Sequence, residues 1–371
     1  MQEGLCMRIF KIVKGVAFLG LFILFNMFLS FLLEPARGAS ELMWKQYYAE
    51  EEIDTLFIGS SLCQTSFDSY IFDEKMGVRS FNMGTPLQAM PQTVRALEVA
   101  IADHDIKTVI FGMGFSTLKY EPVEEAELTF EKARAREKGG VEGFVEGLKY
   151  IYSEGIRDDE KSINYLFPWL YNREDFSPST MKRNATQKIA QFKERLQGIE
   201  PGAGSSYHKG YVNETYHTVD YEYKWDGCSY RFYDQEFDPE MMAEFEKIIK
   251  ICKENNIDLI AVNTPHPTFD IISCYEFYDS NENEFKELCE KYDVDYYDFS
   301  LAKPEIFETK DENYADHEHM NKQGAEYFSV QLSKLLLRRA NGEVLDQYFY
   351  DANEFIKMYP ELVEEWDNYY W

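Results

Sequence analysis

The sequence predicts an α/β fold in which helices cover both faces of a parallel sheet. Five short apolar segments alternate with amphipathic helical segments, and this alternation stops once and then resumes. Strands that alternate with helices are typical of βαβ units, which place helices on both sheet faces. A length of 371 residues suffices for one such domain with insertions, or for two small domains. The hydrophobic content of 45% favours a packed core over disorder.

The predicted elements follow one another along the chain. The strands are short apolar runs bounded by small or polar residues, at 53–60, 78–84, 106–112, 257–263 and 294–299. The helices show apolar residues at spacings of three and four, at 86–103, 238–252, 285–292 and 324–339. Pro239 directly after Asp238 marks a helix start. The run 106–112 is apolar enough to be a central strand.

Residues 118–237 interrupt the alternation and are predicted to form a cap. This insertion enters after the carboxyl end of a strand, where open α/β sheets bind ligands. Its tyrosine-rich part either stacks on sugar rings or packs the insertion onto the sheet, and both alternatives stay open. The aromatic residues concerned are Tyr211, Tyr216, Tyr221, Tyr223, Trp225, Tyr230 and Tyr233.

The N-terminal segment predicts a membrane anchor. Arg8, Lys11 and Lys14 precede the apolar run 15–33, which spans roughly 28 Å as a helix, about the thickness of the hydrocarbon core. Basic residues before the run keep the N-terminus in the cytoplasm and place the rest outside. The alternative is a signal peptide cleaved near the small residues of 36–39. The length of the run favours the uncleaved anchor.

Three segments are therefore expected. Residues 1–37 form a cytoplasmic stub and transmembrane anchor, and 38–340 form the α/β domain with its cap. Residues 341–371 form an acidic, aromatic appendage, in which so many rings favour a docked amphipathic helix over solvated disorder.

The charge balance excludes one class of partner. Beyond residue 37 the chain carries 34 basic and 64 acidic residues, a net charge of −30. Such a surface repels nucleic acid, and it repels anionic lipid head groups unless cations intervene. The six cysteines show no CxxC spacing, and no disulfide framework or cofactor is indicated.

Three residues supply the parts of a serine nucleophile site. Ser61 follows an apolar strand, and Asp316 and His319 lie three residues apart before the last predicted core helix. A serine hydroxyl is a poor nucleophile until a base takes its proton, and that base needs a partner that fixes its tautomer. On a strand-to-helix turn, the backbone N–H groups of Ser61 and Leu62 point at a developing oxyanion.

These residues lie in blocks that resemble the SGNH (GDSL-type) hydrolase superfamily, in particular its membrane-anchored members that act on cell-surface polymers. Gly59-Ser60-Ser61-Leu62 matches the Gly-Asp-Ser-Leu block, with Ser60 in place of the aspartate. Phe81-Asn82-Met83-Gly84 resembles the second block, and Asp316-x-x-His319 with Met-Asn-x-x-Gly324 matches the last. The resemblance covers 53–117 and 238–340 only.

The resemblance implies a three-layer, flavodoxin-like α/β/α fold and a role for each matched residue. Ser61 takes the place of the nucleophile, His319 that of the base and Asp316 that of its orienting partner. The N–H groups of Ser61 and Gly84 are the expected oxyanion donors.

The third block departs from the family pattern. The family places an asparagine after the middle strand, whereas this chain has Gly112-Met113-Gly114-Phe115. Loss of one oxyanion donor costs roughly 100- to 1,000-fold in turnover. Asn82, Ser116 or a cap residue replaces it, or the activity is weak or absent. His266, which follows the fourth strand, either lines the substrate site or has no role.

A metal site is the alternative for 316–319, because two histidines lie two residues apart between carboxylates. No third distant ligand group stands out, so no metal is expected, and His317 and Glu318 are expected to be solvated.

The resemblance and the anchor imply an extracytoplasmic, membrane-anchored serine esterase or O-acyltransferase. Its expected substrate is an acylated cell-surface polysaccharide or cell-wall polymer. The alternative is a weakly active or inactive protein that binds glycan or acts as a scaffold for a membrane-bound acyltransferase. The sequence does not separate hydrolysis from acyl transfer, because both reactions use the same triad.

Overall fold

The computed structural model describes residues 2–36, 38–119, 122–157, 159–167, 169–173, 176–197, 207–212, 224–226 and 236–370. The chain divides into two compact units. The first, which we call the helical unit, comprises Met1–Gly38 and Glu131–Gly202. The second, the sheet unit, comprises Ala39–Phe130 and Ala203–Trp371. Only the flanks of the predicted insertion 118–237 thus belong to the sheet unit.

A five-stranded parallel sheet forms the centre of the sheet unit, as the α/β prediction requires. The seven described strands are β1 (Thr55–Gly59), β2 (Ser80–Asn82), β3 (Thr108–Met113), β4 (Tyr207–His208), β5 (Tyr211–Val212), β6 (Asp258–Asn263) and β7 (Asp295–Asp298). The sheet order is β2-β1-β3-β6-β7, with all neighbours parallel. β4 and β5 form a separate antiparallel hairpin. The fully buried β1 and β3 explain the unbroken apolar runs of their sequences.

Fifteen α-helices are described. The helical unit contains α1 (Gln2–Leu33), α7 (Gly140–Arg157), α8 (Asp159–Leu166) and α9 (Pro178–Leu196). Those of the sheet unit are α2 (Ala39–Tyr47), α3 (Ser61–Ser66), α4 (Ser69–Met76), α5 (Met90–Asp103), α10 (Pro239–Glu254), α11 (Thr268–Ser273), α12 (Tyr275–Lys291), α13 (Lys322–Ala340), α14 (Ala352–Lys357) and α15 (Pro360–Tyr370). Helix α6 (Glu124–Lys138) begins in the sheet unit and ends in the helical unit.

Helices pack on both faces of the sheet. On one face, Phe57 of β1 stacks on Phe67, and Phe67 meets Phe328 of α13 at 5.5 Å between ring centroids. On the other face, Phe111 of β3 contacts Phe245 of α10 at 5.1 Å. Both cores contain aromatic layers, and their burial is the main stabilising term of the unit.

The tail and the tyrosine-rich segment are described in part. Trp366 of α15 packs against Trp225 and Phe269, and all three are buried. Tyr211 is 1% exposed and belongs to the main core. Tyr216, Tyr221, Tyr223, Tyr230 and Tyr233 lie outside the described residues.

Helix α1 is long and apolar enough to cross a bilayer. Its segment Phe10–Leu33 has 24 residues, and the most apolar 18-residue stretch in it has a mean hydropathy of 2.5 and is 6% buried. Among the described residues, no other helix meets the same criterion.

Candidate active site

A sharp turn between β1 and α3 positions Ser61. Gly59 has a φ of +151°, and a Cβ atom at this residue would lie 2.1 Å from the carbonyl oxygen of Gly112. Only glycine fits this approach of two backbones. Ser60 then forms the N-cap of α3, and Ser61 is its first residue. Ser61 therefore lies at the carboxyl edge of the sheet, at the start of a helix whose first N–H groups have no intrahelical acceptor.

A second short loop carries Asp316 and His319. The N–H of Ala315 donates to the carbonyl oxygen of His319 at 2.8 Å, which closes the loop on itself. Asn321 caps α13 directly afterwards, because its side chain accepts from the N–H of Gly324 at 3.0 Å. Gly324 is required here, since a Cβ would lie 2.0 Å from the carbonyl oxygen of Asn313. The loop geometry thus follows from the Met-Asn-x-x-Gly pattern.

The fold brings Ser61, His319 and Asp316 into one hydrogen-bonded series. Nε2 of His319 lies 2.8 Å from Oγ of Ser61, although the two residues are 258 positions apart. Nδ1 of His319 lies 3.0 Å from each carboxylate oxygen of Asp316. Since a carboxylate only accepts, Nδ1 carries a proton, and the lone pair of a neutral Nε2 faces the serine hydroxyl. This arrangement matches the positions of a nucleophile, a base and its orienting partner.

The electrostatics of the pair favour an ionised carboxylate beside a basic imidazole. Burial raises the pKa of Asp316, but the hydrogen bond from His319, its charge and the N–H groups of Glu318 and His319 together lower that pKa to about 2. For His319, burial lowers the pKa, and the hydrogen bond and charge of Asp316 outweigh it, so the net shift is upward. Asp316 therefore stabilises the imidazolium that forms when His319 takes a proton.

The predicted oxyanion donors Asn82 and Gly84 are already engaged. Nδ2 of Asn82 donates to the carbonyl oxygens of Cys63 at 2.9 Å and Phe67 at 3.1 Å. Its Oδ1 accepts from the N–H of Gly84 at 2.9 Å. Both amide hydrogens of Asn82 are thus used to hold α3 against the sheet, which leaves none for an oxyanion. This geometry does not support the prediction for Asn82, and the N–H of Gly84 faces Asn82.

An apolar cavity of about 360 Å³ adjoins Ser61. Its apolar lining comes from Leu62, Leu87, Ala89 and Val123, and its polar lining from Ser60, Ser61, Gln88, Ser116, Thr117 and Glu318. Ser116 lies on the 3-10 turn Phe115–Leu118, two residues after Gly114, which stands where the resemblance places the missing asparagine. A hydroxyl donor therefore lines the cavity close in sequence to that position.

His266 lies close to the triad but behind the cavity wall. It is 2% exposed, and it does not belong to the residues that line the cavity. Its Nδ1 donates to the carbonyl oxygen of Thr264 at 2.9 Å, and its N–H donates to Oγ of Ser300. Burial lowers its pKa, while the charges of Glu318 and Asp316 act in the opposite direction. The described contacts give His266 a buried, hydrogen-bonded position, and its place beside a substrate stays a prediction.

Three features of the site were not expected from the sequence. Leu87, which lines the cavity, has a φ of +56° and is 64% exposed. Glu318, expected to be solvated, also lines the cavity. His317 donates from Nε2 to the carbonyl oxygen of Lys224 at 2.7 Å, which links the loop 315–319 to another segment. A positive φ at leucine and a contact between distant segments have no local sequence signal.

No protein-family model matches the chain, and no curated protein is similar to it in sequence. Within the described residues, no group of three or more His, Cys, Asp or Glu side chains is placed to hold a metal ion.

Proposed function

We propose that the protein is a membrane-anchored serine esterase or O-acyltransferase of the SGNH (GDSL-type) kind. The observation that carries this proposal is the series Ser61–His319–Asp316, with its two short links of 2.8 Å and 3.0 Å. The strand order of the sheet, 2-1-3-4-5 in chain order, supports it, because flavodoxin-like doubly wound sheets have this order and bind ligands at their carboxyl edge.

The proposed reaction begins with proton transfer from Ser61. Oγ gives its proton to Nε2 of His319 and attacks the carbonyl carbon of an ester, which forms a tetrahedral oxyanion. The backbone N–H groups at the start of α3 and the hydroxyl of Ser116, which lines the same cavity, are the donors that we propose for that oxyanion. His319 then protonates the leaving alkoxide, and an acyl group stays on Ser61.

The second half-reaction releases the acyl group. Water or a sugar hydroxyl gives its proton to Nε2 of His319 and attacks the acyl carbonyl, and Oγ of Ser61 recovers the proton as it leaves. Asp316 stabilises the imidazolium in both steps. Hydrolysis and transfer therefore share one mechanism, and the access of water to the acyl-enzyme decides which of the two occurs.

The cavity supports a small aliphatic acyl group as the substrate. Its lining is mainly apolar, and burial of each methylene contributes about 0.8 kcal/mol. The acceptor that we propose is a hydroxyl of a cell-surface polysaccharide or cell-wall polymer, reached by a sheet unit that α1 anchors outside the cytoplasm.

A scaffold or glycan-binding role is the second candidate. The hydrogen bonds of Asn82 favour this role, because both of its amide hydrogens are used and none is left for an oxyanion. Hydrolysis of p-nitrophenyl acetate and butyrate by the full chain in detergent distinguishes the two. The enzyme proposal requires turnover that Ser61→Ala removes and Cys63→Ala keeps. If the protein is folded but hydrolyses no ester, and transfers no acyl group from any donor to any acceptor that is tested, the scaffold or glycan-binding role is supported.

A further inference from the structure

Helix α7 exposes its apolar face and packs with its polar and small face. The exposed residues recur at helical spacing, and they are Val141, Phe144, Val145, Leu148 and Tyr152, with exposures of 78%, 67%, 40%, 48% and 74%. On the opposite face, a Cβ at Gly143 would lie 2.1 Å from the carbonyl oxygen of Ala135, and one at Gly147 would lie 2.5 Å from the hydroxyl of Tyr165. This orientation is the reverse of that of a helix on a water-soluble domain.

The neighbouring helices of the helical unit share this property. Ile163 and Leu166 of α8 are 48% and 55% exposed, and Ile189, Phe192 and Leu196 of α9 are 47%, 62% and 72% exposed. A set of large apolar side chains of this extent indicates an interaction surface. The surface is therefore built from three amphipathic helices.

One of these helices, α9, contacts the segment that is apolar enough to cross a bilayer. Nδ2 of Asn184 donates to the carbonyl oxygens of Leu32 and Leu33, and Nζ of Lys188 donates to those of Ser30 and Phe31. Both side chains thus donate to carbonyl groups in the last turn of α1, among which that of Ser30 also accepts from the N–H of Glu34. Helix α9 is therefore fixed to the end of α1 that leads into the sheet unit.

A second set of contacts reaches further along α1. The ring of Phe167 meets that of Phe22 at 6.0 Å, and Nε1 of Trp169 donates to Oδ1 of Asn26 at 2.8 Å. Phe22 precedes Leu33 by about 17 Å of helix, more than half of a hydrocarbon core of about 30 Å. If α1 spans the bilayer, the segment that contains Phe167 and Trp169 lies at the depth of the acyl chains.

The charge of the helical unit differs from that of the rest of the protein. Residues 131–202 carry 13 basic and 12 acidic side chains, a net charge of +1. The sheet unit carries 21 basic and 52 acidic side chains, a net charge of −31. Anionic lipid head groups repel the sheet unit, and this repulsion is absent from the helical unit.

We propose that the apolar faces of α7, α8 and α9 contact the lipid bilayer, with the apolar stripe of α7 against the lipid acyl chains. This inference rests on the part of the proposed function that makes α1 a membrane anchor, and it is independent of the serine chemistry. The occupant of the surface is the phospholipid bilayer. Binding follows from the apolar area that these helices bury among the lipids.

Fluorescence quenching by brominated lipids tests the proposal. The full chain is reconstituted in nanodiscs of phosphatidylcholine and phosphatidylglycerol, with or without bromine on the acyl chains. Three single variants are compared after subtraction of the native tryptophan signal. Phe144→Trp lies on the stripe, Glu142→Trp is the exposed control on the same helix, and Leu21→Trp reports insertion of α1.

The expected result is that brominated acyl chains quench Phe144→Trp about twofold or more over Glu142→Trp, and to a degree comparable with Leu21→Trp. Quenching of Leu21→Trp without quenching of Phe144→Trp overturns the proposal, whether water or a second copy of the chain covers the stripe. If Leu21→Trp is not quenched, α1 does not insert into the bilayer. The proposed contact of α7, α8 and α9 with lipid is then excluded as well. Neither outcome affects the test of Ser61 by turnover.

Discussion

Nε2 of His317 donates to the backbone carbonyl oxygen of Lys224 at 2.7 Å. The ammonium group of Lys224 in turn pairs with Glu365 of α15 at 2.8 Å. His317 directly follows Asp316, so the C-terminal helix is linked to the loop 315–319 through two contacts. The acidic, aromatic tail therefore has a physical connection to the position of His319.

Removal of the tail's central ring tests this connection. Trp366→Ala leaves a cavity against Trp225 and Phe269, with an expected cost of about 3 kcal/mol in the free energy of unfolding. We expect the variant to show reduced ester turnover at temperatures where it is still folded, because the loop that carries His319 loses support. Glu361→Ala, on an exposed position of the same helix, is the control. If the turnover of Trp366→Ala is reduced only in proportion to its folded fraction, the tail does not affect the position of His319.

The pH dependence of turnover follows from the pKa shifts of the pair. His319 acts as a base only when neutral, and its pKa is raised above its usual value of 6.5. Turnover is therefore expected to fall as the pH drops through that raised pKa, with an acidic limb above pH 6.5. Asp316→Asn removes the charge that raises the pKa, so the limb moves to lower pH, and the turnover falls by about 10⁴-fold. A pH–rate profile of both proteins measures this, and an unshifted limb contradicts the role of Asp316.

Two glycines with positive φ provide a matched test of the turn before Ser61. In Gly59→Ala the added Cβ meets the carbonyl oxygen of Gly112, whereas Gly77→Ala meets no atom within 4 Å. We expect a loss of about 3 kcal/mol or more in unfolding free energy for Gly59→Ala. Gly77→Ala costs about 1–2 kcal/mol, since only the left-handed conformation opposes it. Equal denaturation midpoints would show that the backbone at β1 and β3 moves apart without cost.

Leu87 lines both the cavity beside Ser61 and a second cavity of about 260 Å³. Leu87→Gly relieves a strained φ of +56°, with an expected gain of about 1 kcal/mol, and joins the two spaces. We expect its specificity to shift from butyrate towards octanoate esters. Asparagine tolerates the same φ and keeps a side chain at this position. Leu87→Asn therefore distinguishes the effect of backbone strain from the effect of the lost side-chain volume. If Leu87→Gly keeps the ester preference of the wild type, the side chain of Leu87 does not limit the length of the acyl group.

Ser116 is tested as the replacement for the missing asparagine. Its hydroxyl lines the cavity, so Ser116→Ala is expected to lower kcat about 100-fold with KM little changed. Thr117→Ser, which keeps a hydroxyl at the next position, is the control. If Ser116→Ala has the kcat of wild type, the backbone N–H groups of α3 alone serve the oxyanion.

The fold was more accessible from the sequence than the details of the site. Each of the five predicted runs overlaps a strand, and β1 is the plainest case, because a strand buried on both faces has an unbroken apolar sequence. The run 78–84 yields only Ser80–Asn82, and the side chain of Asn82 turns back to the carbonyl groups of Cys63 and Phe67. That contact depends on the folded position of α3, so no local pattern shows it.

The candidate triad could be predicted from the sequence for a different reason. Asp316 and His319 lie on one turn, and their spacing alone allows the contact between them. The meeting of His319 with Ser61 requires the whole sheet, and the sequence supports it only through the resemblance. The strained φ of Leu87 and the bond from His317 to Lys224 are properties of the assembled chain.

The most direct test of the central claim is the site of covalent labelling by a fluorophosphonate. The full chain is labelled and digested, and the modified peptide is identified by mass spectrometry. The account predicts an adduct on Ser61 that Ser60→Ala keeps and that both Ser61→Ala and His319→Ala abolish. A folded protein without an adduct on Ser61, or with unchanged labelling in Ser61→Ala, would contradict it.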